Sequence, residues 1–277
     1  MRHILILLAI NFILAGCTQQ EKLTILNFDV SYEKVFCGRD FSVNVYINNN
    51  FDREVENLYI GFETIDILNF KGVKKCGNGK IVNYGCLINK LEPGDESEVT
   101  FLLSFPGQYC IPGEVPRANP KLIISYDFDG QTKVNIPIYG EGRKSKKDTT
   151  VDMTEGPIKV DVSVPTQGVD SNQIFFMDVS IFDSGEENII KKDDLSIKLQ
   201  NLQVYSEEGE TDCDFEINPD NTLSLKKDFP VGVNKKLRCL LKAVEIKKDG
   251  FVYGLILIDY KYNYKMSHHL TITPSND

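Results

Sequence analysis

Tryptophan is absent from the 277 residues, and histidine occurs three times. His3 lies in the leading apolar run, which leaves His268 and His269 for any chemistry. Neighbours on a strand point to opposite faces, so these two cannot easily chelate one metal ion. A Ser-His-Asp or Cys-His hydrolase would need one of them as its base, and no nucleophile elbow accompanies either. Gly-rich phosphate loops, His-Glu-x-x-His and EF-hand loops are also missing. No Cys-x-x-Cys pair occurs, which removes the usual spacing of a zinc site. Without tryptophan the case for a sugar-stacking platform is weaker. Basic residues are few: 31 Lys and Arg stand against 40 Asp and Glu, a net charge of −9. Such a field repels nucleic acid and anionic headgroups as general partners. These absences lead to a non-enzyme with no catalytic residue, no metal and no cofactor.

The first sixteen residues have the parts of a secretory signal. Arg2 is the basic start, Ile4 to Ile13 the apolar run, and Ala15-Gly16 the small residues at a cleavage point. The run is shorter than the roughly 20 residues of a membrane-spanning helix. Leu14-Ala15-Gly16-Cys17 resembles the lipobox of prokaryotic lipoproteins, in which diacylglycerol alkylates the thiol and the chain is cut just before it. The resemblance implies a signal peptide over 1–16, a lipidated Cys17, and a short tether over 17–22. It places the mature chain outside the cytoplasm, anchored to membrane lipid through the acylated Cys17. Two acyl chains suffice for stable anchoring, at about 0.8 kcal/mol per buried methylene.

Six further cysteines remain: Cys37, Cys76, Cys86, Cys110, Cys213 and Cys239. An even number in an exported chain reads as disulfides. Four fall in the first half and two in the second, so Cys213–Cys239 follows if each half pairs internally. Cys76 and Cys86 flank Gly77-Asn78-Gly79, and their pairing across a hairpin would leave Cys37–Cys110.

The body of the chain alternates with period two. Phe41, Val43, Val45 and Ile47 share one face of a strand, and 58–62, 99–103 and 122–126 read likewise. Many short strands between turn signals predict an all-β sandwich architecture. The alternation also repeats. Phe41 and Phe175, Ile124 and Ile258, and Ile138 and Ile272 stand in matching contexts, each pair 134 residues apart (41 to 175, 124 to 258, 138 to 272). Two tandem sandwiches are expected over 23–139 and 157–272. Between them runs a polar linker over 140–156 with a basic cluster of Arg143, Lys144, Lys146 and Lys147, and 273–277 is left as a tail.

Asp40-Phe-Ser-Val-Asn-Val-Tyr-Ile-Asn48, followed by Val55-Glu-Asn57-Leu58, resembles the opening strands of CARDB-like and other immunoglobulin-like modules. These recur in tandem on archaeal and bacterial surface proteins. In the second copy Phe182-Asp183 replaces Asn48-Asn49. The resemblance implies two immunoglobulin-like domains with a structural or adhesive role, and transfers no functional residue.

Three stretches invite a functional reading. Residues 105–120 form a long loop with prolines at 106, 112, 116 and 120, and Tyr109 and Arg117 are residue types favoured at binding hot spots. Such a loop can equally cover a sheet edge. Glu207 to Asp214 is acidic, and Glu210, Asp212 and Asp214 could hold calcium in an oxygen-rich loop, or form a solvated loop pinned by Cys213. Asp127-Phe-Asp129-Gly130 reads as a hairpin turn. The expected function is recognition, adhesion or scaffolding toward an unknown surface protein or glycan. A calcium- or carbohydrate-binding module is the alternative, and a carboxylate hydrolase built on a pair such as Glu63 and Asp66 comes third.

Overall fold

The computed structural model describes residues 26–111, 113–140, 147–183, 189–207, 210–231, 236–247 and 249–275. The signal peptide, Cys17, the tether, and Arg143, Lys144 and Lys146 of the basic cluster therefore lie outside the described residues.

Eight strands make up the first half: β1 (Asn27–Tyr32), β2 (Asp40–Asn48), β3 (Val55–Thr64), β4 (Asn69–Cys76), β5 (Lys80–Val82), β6 (Gly85–Leu91), β7 (Glu96–Ser104) and β8 (Lys121–Tyr139). After β9 (Thr150–Met153) come β10 (Ile158–Ser163), β11 (Val169–Asp170), β12 (Ile174–Asp183), β13 (Ile189–Ile190), β14 (Leu195–Gln200) and β15 (Leu202–Val204). The rest are β16 (Ser206–Glu207), β17 (Glu210–Thr211), β18 (Phe215–Ile217), β19 (Thr222–Leu225), β20 (Phe229–Pro230), β21 (Lys236–Ala243) and β22 (Phe251–His269). Among the described residues there is no α-helix, and two single turns of 3-10 helix are seen, Gly107–Tyr109 and Lys192–Asp194. The chain is all-β, as its alternation predicts.

The repeat is visible in the strand orders. One four-stranded sheet runs β1-β2-β7-β4 and another β10-β12-β21-β15. The remaining large strands form one sheet in the order β18-β19-β14-β22-β8-β3-β6-β5, with β9 and β11 on β8. Read outward from the centre, β8-β3-β6-β5 mirrors β22-β14-β19-β18. From Leu122 to Ile138 every even-numbered residue of β8 is buried, and one apolar core joins residues of both four-stranded sheets to it.

The two halves meet along their longest strands. β8 and β22 pair antiparallel along all 19 residues of each. In that register Phe128 faces Tyr262, its own counterpart in the repeat, so the two copies meet like a twofold pair. Part of the expected linker is a strand as well: β9 pairs with Thr132–Asn135 of β8. Asp129-Gly130 is no hairpin turn but lies mid-strand in β8. The ring of Tyr260, opposite Gly130, occupies the space a side chain would take there. That cross-strand cover suits glycine to an extended position, where Asp-Gly by itself signals a reversal.

Local chemistry explains the motif after β2. Asn49 is fully buried and its amide donates to the carbonyl oxygens of Arg53 and Leu91, both at 2.9 Å, while Phe51 N–H donates to its Oδ1. An apolar residue there would strand those groups. Asn57 holds a left-handed φ of 51° at a β-bulge between Glu56 and Tyr59, a conformation asparagine tolerates better than most residues.

The disulfides are Cys37–Cys110, Cys76–Cys86 and Cys213–Cys239. Cys76–Cys86 does not close a simple hairpin. Cys76 ends β4 in one sheet and Cys86 lies in β6 of the other, so the bond staples the two layers.

Candidate functional site

The 105–120 loop is anchored at both ends by buried residues, Phe105 on one side, Ala118 and Pro120 on the other. Gly38 N–H donates to the carbonyl of Phe105 at 2.8 Å, and Ala118 exchanges two backbone bonds of 2.9 Å with Ile272. Cys110 is tied to Cys37, and a 3-10 turn at Gly107–Tyr109 shapes the first half of the loop. Asn119 N–H donates to Asp66 Oδ2 at 2.7 Å. Each tie lowers the entropy that a partner would otherwise have to remove.

The loop presents three large apolar side chains among exposed polar ones. Tyr109 is 41% exposed, Ile111 53% and Val115 60%, while most large apolar side chains of the chain are buried. Arg117 is not aimed at solvent alone: its guanidinium donates to Thr271 Oγ1 at 3.2 Å, and Tyr32 donates to the Thr271 carbonyl at 3.1 Å. Arg117 thus holds the loop to the C-terminal segment. Nearby, Lys34 and Arg39 stand over the Phe36 ring, 5.2 and 5.5 Å from its centroid. Aromatic and aliphatic groups rimmed by cations compose this end of the β1-β2-β7-β4 sheet. Ala118 of the loop forms an isolated antiparallel bridge with Ile272.

The acidic stretch is placed differently from a closed calcium loop. Glu207 and Glu210 face each other across the β16–β17 pair. Asp214 accepts from Arg238 N–H at 2.7 Å, and Asp212 and Asp214 flank a bridge between Cys213 and Cys239. Among the described residues no three His, Cys, Asp or Glu side chains gather closely enough to hold a metal ion. His268 sits edge-on to Phe28, ring centroids 5.6 Å apart.

Glu63 and Asp66 each have structural partners. Lys121 binds Glu63 at 2.7 Å and Lys265 stands 3.4 Å away, so the Glu63 carboxyl is held below its ordinary range, chiefly by the Lys121 hydrogen bond. That is opposite to the shift a general acid needs. Asp66 is engaged by the Asn119 backbone.

The residues singled out in sequence pass over one surface, the outer face of the β1-β2-β7-β4 sheet. It carries a groove of about 590 Å³ lined by Tyr46, Asn48, Glu96 and Glu98. The signal was available in the polar side of the alternation Ser42, Asn44, Tyr46, Asn48, read only for its buried partner face.

No family model matches the chain, and no curated protein does. Among solved structures, the secreted serine protease VesC from Vibrio cholerae superposes over 83% of this chain and 50% of its own, with 11% identity and a TM-score of 0.21. The chain thus spans about half of that protease, and a superposition so loose carries no argument about fold or activity.

Proposed function

We propose that this is a lipid-anchored, extracytoplasmic protein whose two immunoglobulin-like β-sandwich units serve recognition, adhesion or scaffolding at a prokaryotic cell surface, without catalysis. The observation that carries the reading is the pinned 105–120 loop. Three exposed apolar side chains are held on a disulfide-tied frame, so a partner meets them already ordered. The three disulfides agree with export to an oxidising compartment. Ten positions separate Cys17 from Asn27, where β1 begins, which keeps the first strand within about 36 Å of an acylated thiol. Two units joined through one sheet suit a spacer that displays a binding end away from the membrane.

Two measurements test this. Intact mass of the protein extracted from its native membranes should show diacylglycerol on Cys17, and Cys17→Ser should release the protein from the membrane fraction. Cross-linking in native membranes should capture a neighbour with wild type and lose it with Tyr109→Ala combined with Ile111→Ser. An unmodified thiol in a protein found inside the cell sinks the anchor. Unchanged capture by the loop variant sinks the docking role.

A further inference from the structure

A second surface on this molecule has the makings of a ligand site, and it lies apart from the 105–120 loop. On the outer face of the β1-β2-β7-β4 sheet, register aligns side chains in rows across the strands. Asp29, Tyr46 and Glu98 form one row, and Asn27, Asn48 and Glu96 the next. Lys75 of β4 reaches across to pair with Glu98, and Gly77-Asn78 closes one side. The rows line the groove of about 590 Å³, within the range of small-ligand sites.

Its chemistry is mixed. Tyr46 is 46% exposed on the outer sheet face and lines the groove, presenting a flat ring to a ligand. Tyr46 stands directly opposite Glu98, the carboxylate that Lys75 holds. Asn48 Nδ2 donates to Glu96 Oε1 at 3.1 Å, so amide and carboxylate stand side by side. A neighbouring donor and acceptor match a hydroxyl, which both donates and accepts. Three carboxylates against one lysine discourage phosphate, sulfate and other anions. A Lys/Arg-rich peptide would also meet the three carboxylates and the ring, and is the competing occupant in the test below.

The repeat supplies a comparison within the same chain. The equivalent sheet β10-β12-β21-β15 has Ser180 where the first has Tyr46. Beside it Arg238 binds Asp178 through two bonds, of 2.7 and 3.1 Å, and covers the Phe176 ring. The counterparts of Phe176 and Arg238 in the first unit are the small residues Ser42 and Thr100. The fold therefore does not require an aromatic ring at this position of the sheet face, since the second unit carries Ser180 there.

We infer that the groove across Asn27, Asp29, Tyr46, Asn48, Glu96 and Glu98 binds a neutral oligosaccharide, with Tyr46 as the stacking face and the amide–carboxylate pairs reading its hydroxyls. The mature protein should bind at least one member of a panel of neutral and N-acetylated tri- to hexasaccharides, measured on an array and by calorimetry. Tyr46→Ala and Asn48→Ala should each weaken that binding at least tenfold while leaving the thermal melt within a few degrees. Phe176→Ser, on the other sheet face, should leave it unchanged. Tyr109→Ala should also leave it unchanged, which separates this site from the loop. Silence across the panel overturns the inference. So does sugar binding that survives Tyr46→Ala, or a Lys/Arg-rich peptide that binds in the groove where no sugar does.

Discussion

The ring of Tyr260 lies across Gly130, its antiparallel partner in the ladder that joins the two halves of the molecule. A Cβ at position 130 would fall inside that ring. Gly130→Ala should therefore push Tyr260 out of place and cost about 1–3 kcal/mol, the usual range for overpacking. Chemical denaturation would show it. Combining it with Tyr260→Ala should cost less than the two single changes together, because the clash is shared. Strict additivity would mean the two residues do not meet.

Tyr260 carries a second consequence. It is 2% exposed, and its hydroxyl has no hydrogen-bond partner among the described residues. Burial pushes its pKa up to about 12 from an ordinary 10.0. The unfolded chain ionises at the lower value, so stability that is complete below pH 10 is lost as pH rises toward 12. Tyr260→Phe should remove that alkaline slope, and at neutral pH it should be neutral or stabilising by up to about 1 kcal/mol, since an unpaired hydroxyl is no longer buried. Urea melts of both proteins between pH 8 and 12 measure this.

The disulfides should differ in weight. Cys37–Cys110 closes a separation of 73 residues and Cys76–Cys86 one of 10. Loop-closure entropy predicts roughly 4 kcal/mol for the first and roughly 3 kcal/mol for the second. Replacing each pair with serine and measuring guanidinium midpoints checks the order. The first pair should also free the 105–120 loop, seen as faster amide exchange over those residues, while the second should not.

Asp178 and Arg238 give an acid-side test. The hydrogen bond from Arg238 holds the Asp178 carboxyl below its ordinary 3.8. Its contribution is present above that value and disappears as pH falls through the lower folded value. Asp178→Asn should cost at most about 1 kcal/mol at pH 7, because the guanidinium faces water. The gap from wild type should close at acid pH, followed by thermal melts from pH 7 to 2.

Much of the architecture was legible because alternation is local. Phe41, Val43, Val45 and Ile47 are buried where period two puts them, and the spacing of 134 residues corresponds to matching strand orders. Cys213–Cys239 followed from counting. Asp129-Gly130 misled, since the pair signals a turn unless a distant ring covers it, and Tyr260 is 130 positions away. The groove at Tyr46 was missed for a related reason. Its rows run across strands, from Asp29 to Glu98, and neighbours in a row are far apart in sequence.

Composition and period alone made this chain a β protein, with the residues of its core faces already chosen by alternation. How its two halves join was decided only in three dimensions. Strand pairing is a contact between segments that local pattern cannot bring together, so only the tertiary structure shows one sheet running through β8 and β22. The same tertiary step decided which outer-face side chains meet, because Arg238 reaches Asp178 across the β12–β21 pair and Thr100 donates to Asn44 across the β2–β7 pair.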